Sequence, residues 1–402
     1  MATSAGIAPN GLLRTLAMTL ELTSRRYAQP EATTYYVSLL AANPTMSFMR
    51  ITSPHAHTPG NTGDVMKQVI LATLPGLIAL SYFFGPGSLL NVIMASTACV
   101  AVEACILKMR QRPLAFYIKD YSATVTGVLL GLALPPYCPW WIVAIGAISA
   151  IGIAKHLYGG MGYNPFNPAM IAYVILLISF PLEMTQWAEP RLLLGEGKSL
   201  ISPSAGLSHI FFNTPLSGVF DAWTGATPLD IFKQNKNLLV DNLYIQDSIF
   251  SRARWAGAGW EWVNIAFLLG GLYLLFRKVF TWHAPVAMLV ILTLCASMGY
   301  DGGSSASLGS PLFHLLSGGT MLGAFFIVTD PVTSAVSTRG RLIYGAGVGL
   351  LIYLIRSYGN YPDAIAFAIL LMNFAAPFID YYTIPRTYGH KTSKRATFKQ
   401  EA

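Results

Sequence analysis

The segment Asp221-Ala-Trp-Thr224-Gly225-Ala226-Thr227-Pro228-Leu229-Asp230 brings hydroxyls, carboxylates and a Gly-Ala pair into one short stretch. Thr227 followed by Pro228 reads as a helix N-cap with proline at the first helical position, and Asp230 completes a capping-box-like pair. A hydroxyl in that setting is exposed and suited to carrying a phosphate. The free N–H groups and dipole of the helix start would stabilise the added charge. Gly225 and Ala226 leave room for a modifying enzyme to approach the backbone. The capping and chemical readings are compatible.

Two other places hold chemistry-bearing residues. Asn164-Pro165-Phe166-Asn167-Pro168 interrupts an apolar pattern. Asn167-Pro168 is a cap with proline at N1, and the same residues suit a broken helix whose free carbonyls line a cavity. Asp330-Pro331 occupies the corresponding place in the second half of the chain. Glu103 lies within an apolar run, where a carboxylate is costly and is read as functional by default. Lys108 nearby offers the alternative of a snorkelling helix end. None of the 7 histidines has a second ligand at metal-site spacing. The 4 cysteines form no CxxC pair and read as small apolar side chains. Walker and Rossmann glycine patterns are absent, so nucleotide hydrolysis and NADH binding are not expected of this chain.

The elements that position these residues follow from composition. The chain has 402 residues, 53% hydrophobic and only 11% charged, with mean hydropathy +0.50, against roughly 25% charged in a soluble globular domain. That balance excludes a cytosolic enzyme and a secreted disulfide scaffold, and implies an all-α polytopic membrane protein. A net charge of +8 without a basic, aromatic-interleaved stripe does not suggest nucleic acid. About ten apolar runs qualify as spans, near 67–85, 87–107, 120–135, 139–155, 168–182, 261–276, 281–298, 311–328, 340–356 and 362–379; the third and fifth are short. Most of the 26 Lys and Arg fall on one side if both termini are cytoplasmic. Lys155 falls there among the inside charges and Arg356 among the outside ones.

The chain then divides into an N-terminal extension (1–45), expected to be poorly ordered, a first membrane half (46–182), a loop-rich external segment (183–258), a second membrane half (259–380) and a basic tail (381–402). Met46 offers an alternative start. Five spans on each side of the external segment would make the second set enter from the opposite face, a 5+5 inverted repeat. Thr126-Gly127-Val-Leu-Leu-Gly131 and Gly319-Thr320-Met-Leu-Gly323 are traces of it, although glycine-mediated helix packing accounts for them as well.

The stretch Asp221-x-x-Thr224-Gly225-Ala226-Thr227 resembles the flavinylation signature of the Rnf and sodium-translocating NADH:quinone reductase families, with Thr224 where serine is more usual. Ser53-Pro54-His55, Lys119-Asp120, Tyr158-Gly159-Gly160, Asn164–Met170 and Thr329-Asp330-Pro331 extend the likeness from about Phe48 to about Pro385. The chain is thereby similar to the NqrB/RnfD family of membrane subunits. The likeness is stronger to the D subunit of the Rnf-type ion-translocating oxidoreductase than to the B subunit of the quinone reductase.

The resemblance implies FMN joined to Thr227 by a phosphoester bond, with Asp221, Thr224, Gly225 and Ala226 as the attachment motif. Trp223 is close enough in sequence to pack on the ring, with a plain interfacial tryptophan as the alternative. It also admits a non-covalent riboflavin within the membrane, which makes Asn164, Asn167, Asp330 and Glu103 candidates for lining a pathway or second flavin. It further implies a bacterial inner-membrane location with 183–258 periplasmic, and a flavin transferase for maturation. The implied partners are the A, B, C, E and G subunits of the Rnf complex, above all the periplasmic FMN-carrying G subunit. The activity implied is electron transfer between ferredoxin and NAD coupled to Na⁺ or H⁺ movement, this chain not being catalytic alone. A permease or channel with no redox role is the alternative.

Overall fold

The computed structural model describes residues 61–194, 200–214, 223–235, 240–302, 304, 307–359, 361 and 363–385. The N-terminal extension, Asp221 and residues 386–402 of the basic tail lie outside the described residues. The described chain is mostly helical. Helix α1 (Thr62–Phe84) begins at Asn61, whose side chain accepts from Gly63 N–H. A tight turn through Gly85 at φ +89° leads into α2 (Gly87–Met109). A Cβ at Gly85 would lie 2.5 Å from the Tyr137 hydroxyl, so the turn needs glycine for both its backbone and its space. A short α3 (Leu114–Ile118) precedes α4 (Ser122–Ala133). Helix α5 (Trp140–Ala147) runs on into a π-helical stretch, Ile148–His156, and α6 (Pro168–Ser179) closes the first half.

The segment 183–258, read from sequence as loop-rich, is built from short elements. These are α7 (Pro181–Thr185) at its start, β1 (Trp187–Ala188), α8 (Pro203–Phe212), β2 (Thr224–Gly225), α9 (Pro228–Gln234), α10 (Val240–Gln246) and α11 (Ser248–Ser251).

The second half holds α12 (Trp260–Phe276), α13 (His283–Met298), α14 (Pro311–Leu316), α15 (Thr320–Leu322) with a π stretch Gly323–Ile327, α16 (Thr338–Tyr358) and α17 (Ile365–Thr383). Glu261, in the first turn of α12, ties the preceding segment down: its carboxylate accepts the N–H groups of Arg254, Trp255 and Ala256. Each apolar run of the sequence coincides with helix. By length and composition α1, α2 and α17 are each long and apolar enough to cross a bilayer; α4, α5 with its π stretch, α6, α12 and α13 are shorter apolar helices.

The run at 311–328 is not one helix. It breaks at Ser317-Gly318-Gly319, with Gly318 at φ +59°. Carbonyls freed by a break must find donors where water is scarce. Asn264 Nδ2 donates to Leu316 O (2.9 Å) and Gly318 O (2.8 Å), and its Oδ1 accepts Met321 N–H (3.1 Å). Arg356 Nη1 donates to His314 O at 2.7 Å and Nη2 to Thr320 Oγ1 at 3.0 Å. Two side chains from α12 and α16 therefore hold the break open.

Gly127 and Gly131 face the α2 backbone, where added Cβ atoms would lie 2.5 Å from Ser96 Cα and 2.6 Å from Val92 Cα. Gly323 faces the Ile365 side chain instead. The paired glycine motifs thus serve different contacts, and close helix packing explains the first.

Candidate functional site

Thr227 is fixed from both sides. Upstream, β2 pairs antiparallel with β1, Trp187 opposite Gly225 and Ala188 opposite Thr224, and Glu189 N–H donates to Trp223 O at 3.1 Å. Downstream, Pro228 and Leu229 are buried. Pro228 rests on Gly257, where an added Cβ would collide with the proline ring. The cap expected from the sequence is present: Thr227 Oγ1 accepts Asp230 N–H (3.2 Å), and Asp230 Oδ2 accepts Thr227 N–H (3.3 Å). Ala226 is exposed, and Thr224, Gly225 and Thr227 are half-buried.

A cavity of about 90 Å³ opens beside Thr227 and Asp230, with Tyr173, Trp187, Trp260 and Asp363 in its wall. Trp187 and Trp260 meet edge-on at 4.7 Å, and Phe84 at the end of α1 joins them. Trp223, the sequence candidate for a partner to the flavin ring, is not in this wall. It packs edge-on against Tyr137 (6.2 Å) and His209 (5.3 Å).

A larger cavity of about 270 Å³ gathers Asn164, Asn167 and Asp330, with Lys155, Lys278, Arg341, Phe280, Phe325 and Phe326 among its walls. Asn167 is the N-cap of α6, its Oδ1 accepting from Ala169 and Met170 N–H, while its Nδ2 donates to Asp330 Oδ2 at 3.2 Å. Asp330 also accepts from Thr333 Oγ1 and Val332 N–H. The two interrupted loops of the sequence thus touch one another. Adjacent residues line different cavities, Ala169 the larger and Met170 the smaller, Phe326 the larger and Ile327 the smaller. Both cavities thus border α6 and the 323–327 stretch.

Glu103 is 3% exposed, which rules out a snorkelling helix-end role. It forms an ion pair with Lys155 Nζ at 2.5 Å, and His156 Nε2 lies 3.2 Å from the same carboxylate oxygen. Lys155 Nζ also donates to Ser122 Oγ at 2.7 Å, and that hydroxyl donates to Asp120. Lys155 lines both the larger cavity and an open vestibule that Glu103, Asp120 and His156 share. The sequence hides this cluster, because Lys155 stands next to loop residues and a topology tally assigns it to the inside charges. Arg356 is hidden likewise, yet it is 6% exposed and spends its donors on the helix break. The signal for both is a lone cation within a helical apolar pattern.

The model of the NQR2, RnfD, RnfE family matches residues 49–389. The chain belongs to that family. Among proteins similar to this family member is the D subunit of the ion-translocating oxidoreductase complex of Cellvibrio japonicus, 60% identical over 353 residues, covering 88% of this chain and 98% of the relative. The protein of the same name from Ectopseudomonas mendocina is 55% identical over 346 residues, covering 86% and 97%. That of Alcanivorax borkumensis is 52% identical over 353 residues, covering 88% and 100%.

Proposed function

We propose that this NQR2, RnfD, RnfE family member is a membrane component of an ion-translocating oxidoreductase complex and carries FMN covalently on Thr227. The observation that carries this reading is a motif threonine held by its cap at the mouth of an aromatic cavity, in a chain whose relatives bear that complex's name. The group fits the residues present. Thr227 supplies the tethering oxygen, exposed Ala226 and half-buried Gly225 leave an approach, and the β1–β2 pair and buried Leu229 keep the tether from wandering. When bound, the flavin supplies one-electron transfer.

The larger cavity suits a second, non-covalent riboflavin. Phenylalanine walls match a flat ring, and the Asn164, Asn167 and Asp330 side chains bring polar groups to its lining. Both cavities border α6 and the 323–327 stretch, which places the two positions on shared elements. Asn167 and Asp330 hold the two loops together, and Lys155 joins the cavity to the Glu103 pair. In this proposal ten spans cross a bacterial inner membrane with both termini cytoplasmic and 183–258 periplasmic. Electrons move between ferredoxin and NAD through partner subunits, coupled to Na⁺ or H⁺ movement, and a flavin transferase matures the chain.

A broken helix beside a polar cavity also supports a permease without redox chemistry. A denaturing gel of the full chain, made in a host with the flavin transferase, separates the two. A flavin-fluorescent band that disappears in Thr227→Val supports the electron carrier, and a dark wild-type band leaves the permease.

A further inference from the structure

A capping box consists of two bonds, N-cap oxygen to the N3 amide and N3 carboxylate to the N-cap amide. Thr227 and Asp230 make a third. The Thr227 hydroxyl donates its own proton to Asp230 Oδ2 at 2.6 Å. This bond caps no backbone amide, whereas the other two take the Thr227 and Asp230 N–H groups. Its length is that of a hydroxyl on a charged acceptor and within the reach required of a general base.

The remaining valence of the oxygen matters as much. A threonine hydroxyl has two lone pairs. One faces Asp230 N–H, and among the described residues no donor takes the other. Thr224, earlier in the same motif, is differently placed. Its backbone pairs with Ala188 in the two-stranded ladder, and among the described residues no carboxylate receives its hydroxyl proton.

We propose that Asp230 accepts the Thr227 hydroxyl proton during flavin attachment and thereby selects Thr227 over Thr224. This rests on the flavin-attachment reading above and adds a residue outside the Asp221–Thr227 motif. Thr227 Oγ1 forms a bond to the FMN phosphorus. Because a free FMN phosphate offers no leaving group, the donor is a flavin dinucleotide, in which that phosphorus sits in an anhydride. The phosphorus–oxygen bond of the anhydride breaks, and its electron pair leaves with the nucleoside monophosphate. The Oγ1 proton passes to Asp230 Oδ2, and nothing is oxidised or reduced. An aspartate accepting a hydroxyl proton beside a transferring phosphoryl group is the arrangement protein kinases use. In the product Oγ1 has no proton, so the third bond is lost, whereas both bonds to amides can persist and the helix start outlives the reaction.

The test uses the full chain, purified unmodified in detergent from a host without flavin transferase, then incubated with transferase and FAD. Covalent fluorescence is followed over time on denaturing gels. Asp230→Asn keeps an oxygen to accept Thr227 N–H but cannot take the proton. Its maximal rate should fall about 100- to 10,000-fold with the KM for FAD unchanged, and Asp230→Glu should recover at least a tenth of the wild-type rate. A folded Asp230→Asn chain labelled at the wild-type rate, or a loss confined to KM, overturns the proposal. So does a folded Asp230→Glu chain as dark as Thr227→Val, which keeps the test decisive if Asp230→Asn fails to fold. A dark wild-type chain would instead remove the flavin-attachment reading itself, so the two failures are distinguishable.

Discussion

Replacing Lys155 by methionine removes one member of a buried pair and leaves the other in place. Among the described residues Glu103 would then keep only the His156 contact at 3.2 Å, inside a site where its side chain is 3% exposed, and Ser122 would lose its Lys155 donor. Breaking one side of such a pair costs about 3–5 kcal/mol, whereas exchanging both charges for neutral groups of similar volume is often close to neutral. At about 1.4 kcal/mol per tenfold, Lys155→Met or Glu103→Gln alone should lower the folded-to-unfolded ratio by roughly two to three and a half powers of ten. The double variant should recover most of that. The assay is a double-mutant cycle on the detergent-solubilised full chain, unfolded by denaturant and followed by tryptophan fluorescence. A coupling energy of about 2 kcal/mol or more is expected. Additive single losses, with coupling below about 0.5 kcal/mol, would refute the reasoning that the two charges exist for each other.

Three further outcomes follow from the same geometry. Asn264→Leu strips donors from the Leu316 and Gly318 carbonyls and the acceptor from Met321 N–H. At about 1–3 kcal/mol for each buried group left unpaired, the purified variant should lose thermal stability sharply or fail to fold, as size-exclusion chromatography would reveal. Gly257→Ala drives a Cβ into the Pro228 ring; an overpacking cost of about 1–3 kcal/mol displaces the start of α9 and should lower in-gel flavin fluorescence without changing expression. Ala226→Cys, placed in a chain whose four cysteines are serine, should react with a membrane-impermeant maleimide only from the periplasmic face, and labelling solely from the cytoplasm would reverse the proposed orientation.

Much of the secondary structure is legible in the sequence because apolar runs and caps are local signals. Asn167-Pro168 and Thr227-Pro228 each start a helix where the rules for caps put them. The break at Ser317-Gly318 is not legible, since nothing near it in sequence reveals that Asn264 and Arg356 arrive from other helices to satisfy its carbonyls. The meeting of Asn167 with Asp330 spans much of the chain, and only the parallel of two Asx-Pro loops hints at it. Lys155 escapes for a related reason. Counting charges treats every lysine as solvent-facing, and only the fold reveals that Glu103 awaits this one. The neighbours of Trp223 are likewise not legible, because Tyr137 and His209 reach its ring only through tertiary contacts.

The most direct measurement is mass spectrometry of the proteolytic peptide containing Thr227, taken from cells that express the flavin transferase. The account predicts that peptide carrying the mass of one FMN phosphoester, localised to Thr227 and not Thr224. An unmodified peptide recovered throughout, from membranes in which another flavinylated protein is labelled, would contradict it.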